Sequence, residues 1–357
     1  MANWEELPRD ILGLIARRLA IEDFLAFRGV CTTWRSAAPK ETYSAKSKAP
    51  WLMISILEQV AEFFSPSRGK TYKVPLLHLW GGQALSPPGW IFVSTLDHTY
   101  HKKCRIFNPL SSVSIELPTL EKLRHKSCLG VELDEQERYL CESPGINMIA
   151  LSSSPSLSRS YTVMISYSGS PGLAFHRSGE DAWTVVSPAG HLPWSSVLQL
   201  IYYDGLFVAL DEHYQITTLD QRERRMQLRL VLRQRFQDWP YLVECRGSLL
   251  VAWNIWGQGY RTVNNFQFAV FEVDLEKGTQ EEVKSLGKAS LFLNNNFSFS
   301  VEFNETCLPG IKPNCIYFPD YFMKKTRCYS MEDGKAETYS YPTGCPYFPG
   351  QSFQPGF

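Results

Sequence analysis

Three residues of types that bind metal ions, His98, His101 and Cys104, lie within seven positions of one another. Imidazole and thiolate both ligate zinc, but a structural zinc site takes four protein ligands. No fourth candidate is nearby, and we expect the segment to be a loop between strands, where three-residue spacing aligns no side chains. The sequence therefore predicts no metal ion here and no other bound cofactor.

Residues for nucleophilic catalysis are present in number, but not in a recognisable arrangement. The chain has no G-x-S-x-G elbow around a serine. It also has no phosphate-binding loop and no Rossmann glycine fingerprint. Cys31 follows an apolar spacing and is expected to be a packed side chain. We predict a protein that is not an enzyme, although an active site assembled from distant loops leaves no local motif.

A basic stretch runs from Arg222 to Arg235. Its apolar residues alternate with polar ones, which is the period of a strand with one solvated face; they are Met226, Leu228, Leu230 and Leu232. The whole chain has 36 basic and 36 acidic residues and a formal net charge of zero. This balance favours neither nucleic acid nor a membrane surface as a partner, so we predict a charged strand at a sheet edge.

Composition indicates a folded protein of the cytosol, the nucleus or both. Of the 357 residues, 44% are hydrophobic and 20% are charged. No apolar run reaches the ~18 residues of a membrane span, and the opening residues do not resemble a secretory signal. The nine cysteines include no C-x-x-C pair, and we expect them to be reduced thiols.

The first forty residues predict three short helices. Pro8 suits a helix start, Asp10 lies near that start, and Arg17 and Arg18 lie near the end. Asp23 is placed to help cap a second helix that runs through Gly29, and apolar residues continue into a third. So short a segment cannot bury all its large apolar side chains. They pack on the rest of the chain as an ordinary helical cap, or a partner covers them.

The order and spacing of these residues resemble the F-box motif over about residues 3–40. The resemblance implies a helical module that docks on the Skp adaptor of a cullin-RING ubiquitin ligase. It is carried by Leu7-Pro8, Ile11-Leu12, Ile15, Leu19, Asp23, Phe27-Arg28, Val30-Cys31 and Trp34-Arg35. The resemblance implies that the residues contacting the adaptor, or supporting that contact, are Leu7, Pro8, Ile11, Leu12, Ile15, Leu19, Phe24, Phe27, Val30, Cys31 and Trp34.

From about Trp51 the sequence changes to short β-branched and aromatic runs separated by turns. Hairpins are predicted around Asp204-Gly205 and Arg246-Gly247, whose glycines are 42 residues apart (247 − 205). Gly334 follows 87 residues later (334 − 247), near twice that step. A period of about 40–50 residues indicates a β-propeller of about six or seven blades, although a large β-sandwich is an alternative. The aromatic tail is expected to close the last blade up to Pro349 and to fray beyond it.

Several phrases resemble the KIB-type β-propeller that commonly follows an F-box in plant proteins. The resemblance covers roughly residues 50–350 and departs from the family's usual residues at Lys288, Asn294 and Asp320-Tyr321. The phrases are Asn108-Pro109-Leu110, Ile115 to Pro118, Ala182 to Val185, Tyr202 to Asp211, Ser285 to Leu293, Phe297 to Val301 and Leu308 to Phe318.

Together these observations predict a mainly β protein with two domains. Residues 1–44 are the three-helix F-box, and residues 45–357 are the propeller. The resemblance implies a substrate-recognition subunit of an SCF ubiquitin ligase. Its partners would be a Skp adaptor, through it the cullin and RING subunits, and an unidentified target protein. Two alternatives stay open: a propeller enzyme whose F-box controls only its turnover, and an adaptor-binding protein without a ligase role.

Overall fold

Three helices precede a ring of β-sheets in the computed structural model. The structure describes residues 7–43, 50–57, 60–65, 68–75, 84–85, 89–96, 102–111, 113–120, 123, 145–167, 172–187, 196–220, 224–233, 239–256, 266–303, 310–320, 325–339 and 351–353. No helix among these residues is long and apolar enough to cross a membrane.

The helices are α1 (Arg9–Arg18), α2 (Ile21–Val30) and α3 (Thr32–Ala37), followed by a 3-10 turn at Lys40–Thr42. Pro8 precedes α1, Asp10 lies in its first turn, and Arg17 and Arg18 lie in its last turn. The predicted placement of the acidic residue at the start of this helix and of the two basic residues at its end is therefore confirmed.

The predicted start of the second helix was wrong. Ala20 is the residue that precedes α2, and no side chain caps the helix. Asp23 lies inside the first turn, where its carboxylate forms an ion pair with Arg68. The helix begins instead at the apolar residue Ile21, which is 2% exposed.

The described strands form six sheets, of which five have four strands and one has five. The first sheet has the order β25 (Gln351–Phe353), β1 (Trp51–Leu57), β2 (Val60–Ser65), β3 (Lys70–Pro75). The second has β4 (Ala84–Leu85), β5 (Ile91–Leu96), β6 (Lys102–Asn108), β7 (Val113–Leu117). The third has β8 (Ile146–Leu151), β9 (Thr162–Tyr167), β10 (Gly172–Arg177), β11 (Thr184–Val185).

The remaining sheets follow in chain order. The fourth has β12 (Val197–Tyr203), β13 (Leu206–Asp211), β14 (Gln215–Asp220), β15 (Arg225–Val231). The fifth has β16 (Pro240–Cys245), β17 (Ser248–Trp256), β18 (Phe266–Asp274), β19 (Thr279–Glu282). The sixth has the spatial order β21 (Phe299–Glu302), β20 (Ala289–Phe292), β22 (Cys315–Asp320), β23 (Lys325–Ser330), β24 (Ala336–Tyr339).

These sheets make the fold a β-propeller. The sequence estimate of about six or seven blades is corrected by the described strands, which form five regular four-stranded blades and one five-stranded sheet, here called the sixth blade, in which β20 and β22 run parallel. Most of the apolar core lies between neighbouring sheets. One buried cluster, for example, joins Val243 of β16 and Val270 of β18 to Leu291 of β20 and Ile316 of β22.

The ring is closed by the end of the chain. Strand β25 pairs antiparallel with β1 in the register Trp51↔Phe353. The expectation that residues beyond Pro349 fray was therefore wrong for Gln351–Phe353. A strand from the C-terminus completes the first blade because β1 otherwise has an open edge of unpaired backbone groups.

The two predicted hairpins are confirmed, and they explain the period of 42 residues. Asp204 and Gly205 have φ of 46° and 79°, and Arg246 and Gly247 have 54° and 84°. Two left-handed residues in succession make the tight turn that suits a twisted hairpin. Both turns join the first and second strands of a blade. Gly334, by contrast, joins β23 to β24, so its apparent place in the same period was a coincidence.

The alternation predicted for the basic stretch is broken within β15. Met226 and Leu232 are buried, whereas Leu228 is 50% exposed and Val231 is 40% exposed. The pairing of β14 with β15 shifts register between Leu228 and Leu230, so Arg229 is an extra residue that reverses the faces. Its guanidinium Nε donates to the hydroxyl of Thr218 at 2.8 Å.

Candidate functional site

Helix α1 has two apolar faces. Leu12 is 0% exposed and Ala16 is 1% exposed, and both pack toward the rest of the molecule. On the other side Ile11 is 44%, Leu14 is 54% and Ile15 is 38% exposed. Leu14 and Ile15 follow Ile11 by three and four residues, about one helical turn, so both are neighbours of Ile11 on the helix surface. The helix thus presents an uncovered apolar strip on a module that already has a core.

Helices α2 and α3 support this strip. Phe24 and Phe27 are buried, and the ring of Trp34 lies 4.4 Å from that of Phe27. Val30, at the end of α2, is 59% exposed. We call the exposed residues Ile11, Leu14 and Ile15 of α1 the outer apolar surface.

Cys31 has a structural part in this module. Its thiol precedes α3 and accepts a hydrogen bond from the backbone N–H of Trp34 at 3.5 Å. A side-chain acceptor at this position satisfies one of the helix's otherwise unpaired N–H groups. Cys31 is only partly buried, so part of its side chain stays accessible to a binding partner.

The structure sorts the eleven predicted adaptor-site residues by exposure. Buried, and so placed to support the module, are Leu12, Phe24 and Phe27. Partly buried are Leu7, Leu19, Cys31 and Trp34. Exposed are Pro8, Ile11, Ile15 and Val30. Direct contact with an adaptor stays a prediction for all of them.

Leu14 was missed by the sequence analysis. The residues that carry the F-box resemblance include Leu12, which is buried in the structure, but not Leu14. Leu14 lies three residues after Ile11, and that spacing was the available signal for a shared face. It is the most exposed apolar side chain described on α1.

The F-box helices pack directly on the first blade. Residues of α1 and α2 share one buried cluster with Trp51, Phe63 and Ile91 of the propeller. The indole Nε1 of Trp51 donates to the Glu22 carboxylate at 3.0 Å, and Asp23 pairs with Arg68. The predicted boundary at residue 44 is thus crossed by a continuous core.

Tyr43, at the end of the F-box, belongs to the same contact. Its ring lies 5.2 Å from that of Phe24. Burial, assisted by the negative charge of Glu22, raises the pKa of Tyr43 far above its ordinary value. The hydroxyl therefore remains neutral at physiological pH.

The phrases that resemble the KIB-type family make contacts within and between blades. Asn108 is 0% exposed, donates to the carbonyl of Gly89, and accepts from the N–H groups of Leu110 and Ser111. The indole of Trp183 in the third blade donates to the carbonyl of Pro118 in the second at 2.8 Å.

A hydrogen bond also joins the hairpin turns at Asp204-Gly205 and Arg246-Gly247. The hydroxyl of Tyr203 donates to the carbonyl of Gly247 at 2.8 Å. This bond connects the fourth blade to the fifth at the end of the ring where first and second strands meet. The Trp183–Pro118 and Tyr203–Gly247 hydrogen bonds thus hold neighbouring blades together.

The departures from the family pattern are accommodated locally. Asn294 is buried and closes its own turn, with its side-chain amide donating to the carbonyl of Phe297 at 3.0 Å. Asp320 forms a buried ion pair with Arg327 at 3.0 Å. Lys288 is exposed. Tyr321 lies outside the described residues.

The innermost part of the ring is crossed by a connection from the sixth blade. Gln199, on the innermost strand of the fourth blade, is 2% exposed. Its amide donates to the carbonyl of Asn295, between β20 and β21, at 3.1 Å. The β20–β21 connection therefore reaches past the fifth blade toward the centre of the ring.

No metal cluster or reactive thiol site emerges in the described part of the chain. No group of three or more potential ligands is assembled there; Cys104 is buried in β6, and His98 and His101 lie outside the described residues. Burial raises the pKa of Cys245 to about 11. A hydrogen bond from Cys315 lowers the pKa of Cys328, but both thiols are enclosed in an aromatic cluster.

The fold and the N-terminal module together define an F-box protein with a β-propeller. The family model for the F-box domain matches residues 4–41. The model for the KIB1-4 β-propeller matches residues 63–341. The chain belongs to the KIB1-4 β-propeller family and carries an F-box in front of the propeller.

Relatives that match the chain over most of its length are named as F-box proteins. An F-box/kelch-repeat protein of Arabidopsis thaliana is 24% identical over 345 residues, covering 93% of this chain and 88% of its own length. A putative F-box protein of the same plant is 26% identical over 399 residues, covering 100% of both chains. Among solved structures, a chain of the nidogen/laminin complex has a TM-score of 0.45 and 10% identity, with 86% of this chain and 98% of that chain covered.

Proposed function

We propose that this protein is a substrate-recognition subunit of an SCF-type ubiquitin ligase. The observation that carries the proposal is the outer apolar surface of the F-box. Ile11, Leu14 and Ile15 stay exposed although the module already packs on the propeller. An apolar strip left uncovered by the protein's own fold favours a protein partner.

The Skp adaptor is the partner that an F-box implies. Covering an isoleucine or leucine side chain gains roughly 1.5–3 kcal/mol when it is fully buried. A few such anchors at the centre of an interface carry most of its binding energy. The buried residues Leu12, Phe24 and Phe27 then contribute by holding the strip in shape.

The receptor's own part is binding and proximity, without catalysis. The ubiquitin-conjugating enzyme, held at the RING subunit, supplies the chemistry. The propeller holds a target protein, and the assembly raises the effective concentration of target lysines at the activated thioester. Loops at the ends of a propeller suit such recognition because they vary without disturbing the strands.

Reconstitution tests the proposal. The full-length chain is mixed with Skp adaptor, cullin and RING subunits and used to capture plant proteins, and ubiquitin transfer to them is followed. We expect assembly and modification of captured proteins, both lost when Leu7→Ala and Pro8→Ala are combined. Assembly without ubiquitin transfer would favour an adaptor-binding protein with no ligase role. Equal assembly by the double variant would contradict the residue assignment.

A further inference from the structure

The contact between the F-box and the first blade combines a polar pair with an apolar layer. Trp51 is the first residue of β1 and is 3% exposed. Its ring stacks on Tyr72 of β3, with centroids 4.9 Å apart and planes 2° from parallel. Its Nε1 donates to Glu22 in the first turn of α2 at 3.0 Å. The indole is thus fixed by the propeller and points its donor at the F-box.

The Glu22 carboxylate depends on this donor. Its second oxygen, Oε2, is buried and accepts no hydrogen bond from the residues that the structure describes. A partly buried carboxylate that loses a charge-assisted hydrogen bond bears a desolvation penalty that a fully exposed one does not. The Trp51–Glu22 bond is therefore more sensitive to substitution than an exposed pair.

The neighbouring ion pair is weaker by comparison. Arg68 and Asp23 have side chains that are 38% and 39% exposed. Water screens a pair of this exposure, and such pairs contribute little to stability. We therefore rank Trp51 and Glu22 above Arg68 and Asp23 in fixing the F-box.

We propose that Glu22 and Trp51 are positioning residues that lock the F-box onto the first blade, so that the receptor moves as one rigid body. The inference rests on the proposed function for its purpose, since a fixed F-box gives the bound target a fixed distance from the conjugating enzyme. The lock itself is a property of the free protein. The two polar groups set the orientation, and the shared apolar cluster supplies the area.

The positions of Trp51 and Arg68 in the first blade also show which face of the propeller the F-box lies on. Trp51 begins the second strand of its blade, and Arg68 lies between the third and fourth strands. In the fourth and fifth blades, the same end carries the turns at Asp204-Gly205 and Arg246-Gly247. The adaptor therefore approaches the face of the propeller that bears these turns.

Hydrogen–deuterium exchange of the free full-length protein tests the lock. Trp51→Phe keeps an aromatic ring but removes the N–H donor. We expect exchange of the α2 amides to accelerate by about tenfold, the scale of one hydrogen bond to a charged group. Trp183→Phe removes the same group from a blade–blade contact and is the matched control, for which we expect no change in α2. Glu22→Gln retains an acceptor and should stay close to the parent protein.

Adaptor affinity, measured on the same variants, separates this inference from the proposed function. We expect Trp51→Phe to bind the adaptor within about twofold of the parent, because the outer apolar surface is intact. Small-angle scattering of the adaptor complex should then report a broader range of shapes. Unchanged α2 exchange in Trp51→Phe, or equal acceleration in Trp183→Phe, would overturn the lock. If the parent protein itself did not bind the adaptor, that result would instead refute the proposed function.

Discussion

Ile11 and Leu12 are adjacent in the chain but point ~100° apart around α1, and 44% and 0% of their surface is exposed. Leu12 belongs to the cluster shared with the first blade. Ile11 belongs to the outer apolar surface. One helix thus serves the internal core and an external partner.

Substitutions at these two positions should have different effects. Leu12→Ala creates a cavity in the shared core and should lower the free energy of unfolding by about 2–5 kcal/mol. Ile11→Ala should leave that free energy nearly unchanged and weaken adaptor binding. Chemical denaturation gives the free energy of unfolding of both variants, and titration with the adaptor gives their binding affinity. A stability loss of similar size in Ile11→Ala would place its side chain in the core and contradict the account.

The reactivity of Cys31 should report adaptor binding. Its thiol is partly exposed beside Trp34, so a docked adaptor should slow alkylation by iodoacetamide at pH 8. Cys245 is an internal reference, because burial raises its pKa to about 11 and the folded protein keeps it protonated at that pH. Mass spectrometry measures both rates. If saturating adaptor left the Cys31 rate unchanged, the adaptor would not cover this part of the module.

The first, fourth and fifth blades illustrate what the sequence predicted and what it did not. Asp204-Gly205 and Arg246-Gly247 predicted two hairpins because only a few residue types favour left-handed backbone. Strand β25 was missed because its pairing with β1 joins residues about three hundred positions apart, and local pattern contains no such information. The bulge at Arg229 was missed for a similar reason, since it depends on the register with β14.

The candidate site divides in the same way. Spacing identified an apolar helical module, but it did not separate Leu12 from Ile11, because both are large apolar residues in a short helix. That separation depends on where the first blade lies. The Trp51–Glu22 contact was likewise invisible, since neither residue belongs to a motif that implies the other.

The buried pair Asp320–Arg327 should be important for the sixth blade. Their side chains are 4% and 6% exposed and lie 3.0 Å apart. Arg327→Leu leaves a buried carboxylate without its cation and should cost about 3–5 kcal/mol. Lys312→Leu breaks an exposed pair with Glu337 of similar length, 2.9 Å, and should cost less than about 1 kcal/mol. Thermal and denaturant unfolding compare the two. Equal losses would mean that burial does not set the importance of these pairs.

Trp239 is our candidate contact for the target. It is 43% exposed and directly precedes β16, at the end of the fifth blade opposite the Arg246-Gly247 turn. That end faces away from the F-box, and exposed tryptophans are frequent interface anchors. Trp239→Ala should reduce capture of ubiquitinated proteins by the reconstituted ligase while adaptor affinity is unchanged. Leu157→Ala removes an apolar side chain, 45% exposed, from the F-box end and is the control. Equal capture by the parent and Trp239→Ala would exclude this contact.

Calorimetric titration of the Skp adaptor into the full-length protein tests the central claim most directly. The parent should bind, and Ile11→Asp combined with Ile15→Asp should raise Kd by at least about a hundredfold, because two anchors are replaced by charges that must be desolvated. Trp239→Asp, at a similarly exposed position (43%) on the end of the propeller away from the F-box, should bind as the parent does. No binding by the parent, or equal binding by the Ile11/Ile15 variant, would contradict the assignment of this surface as the adaptor-docking site.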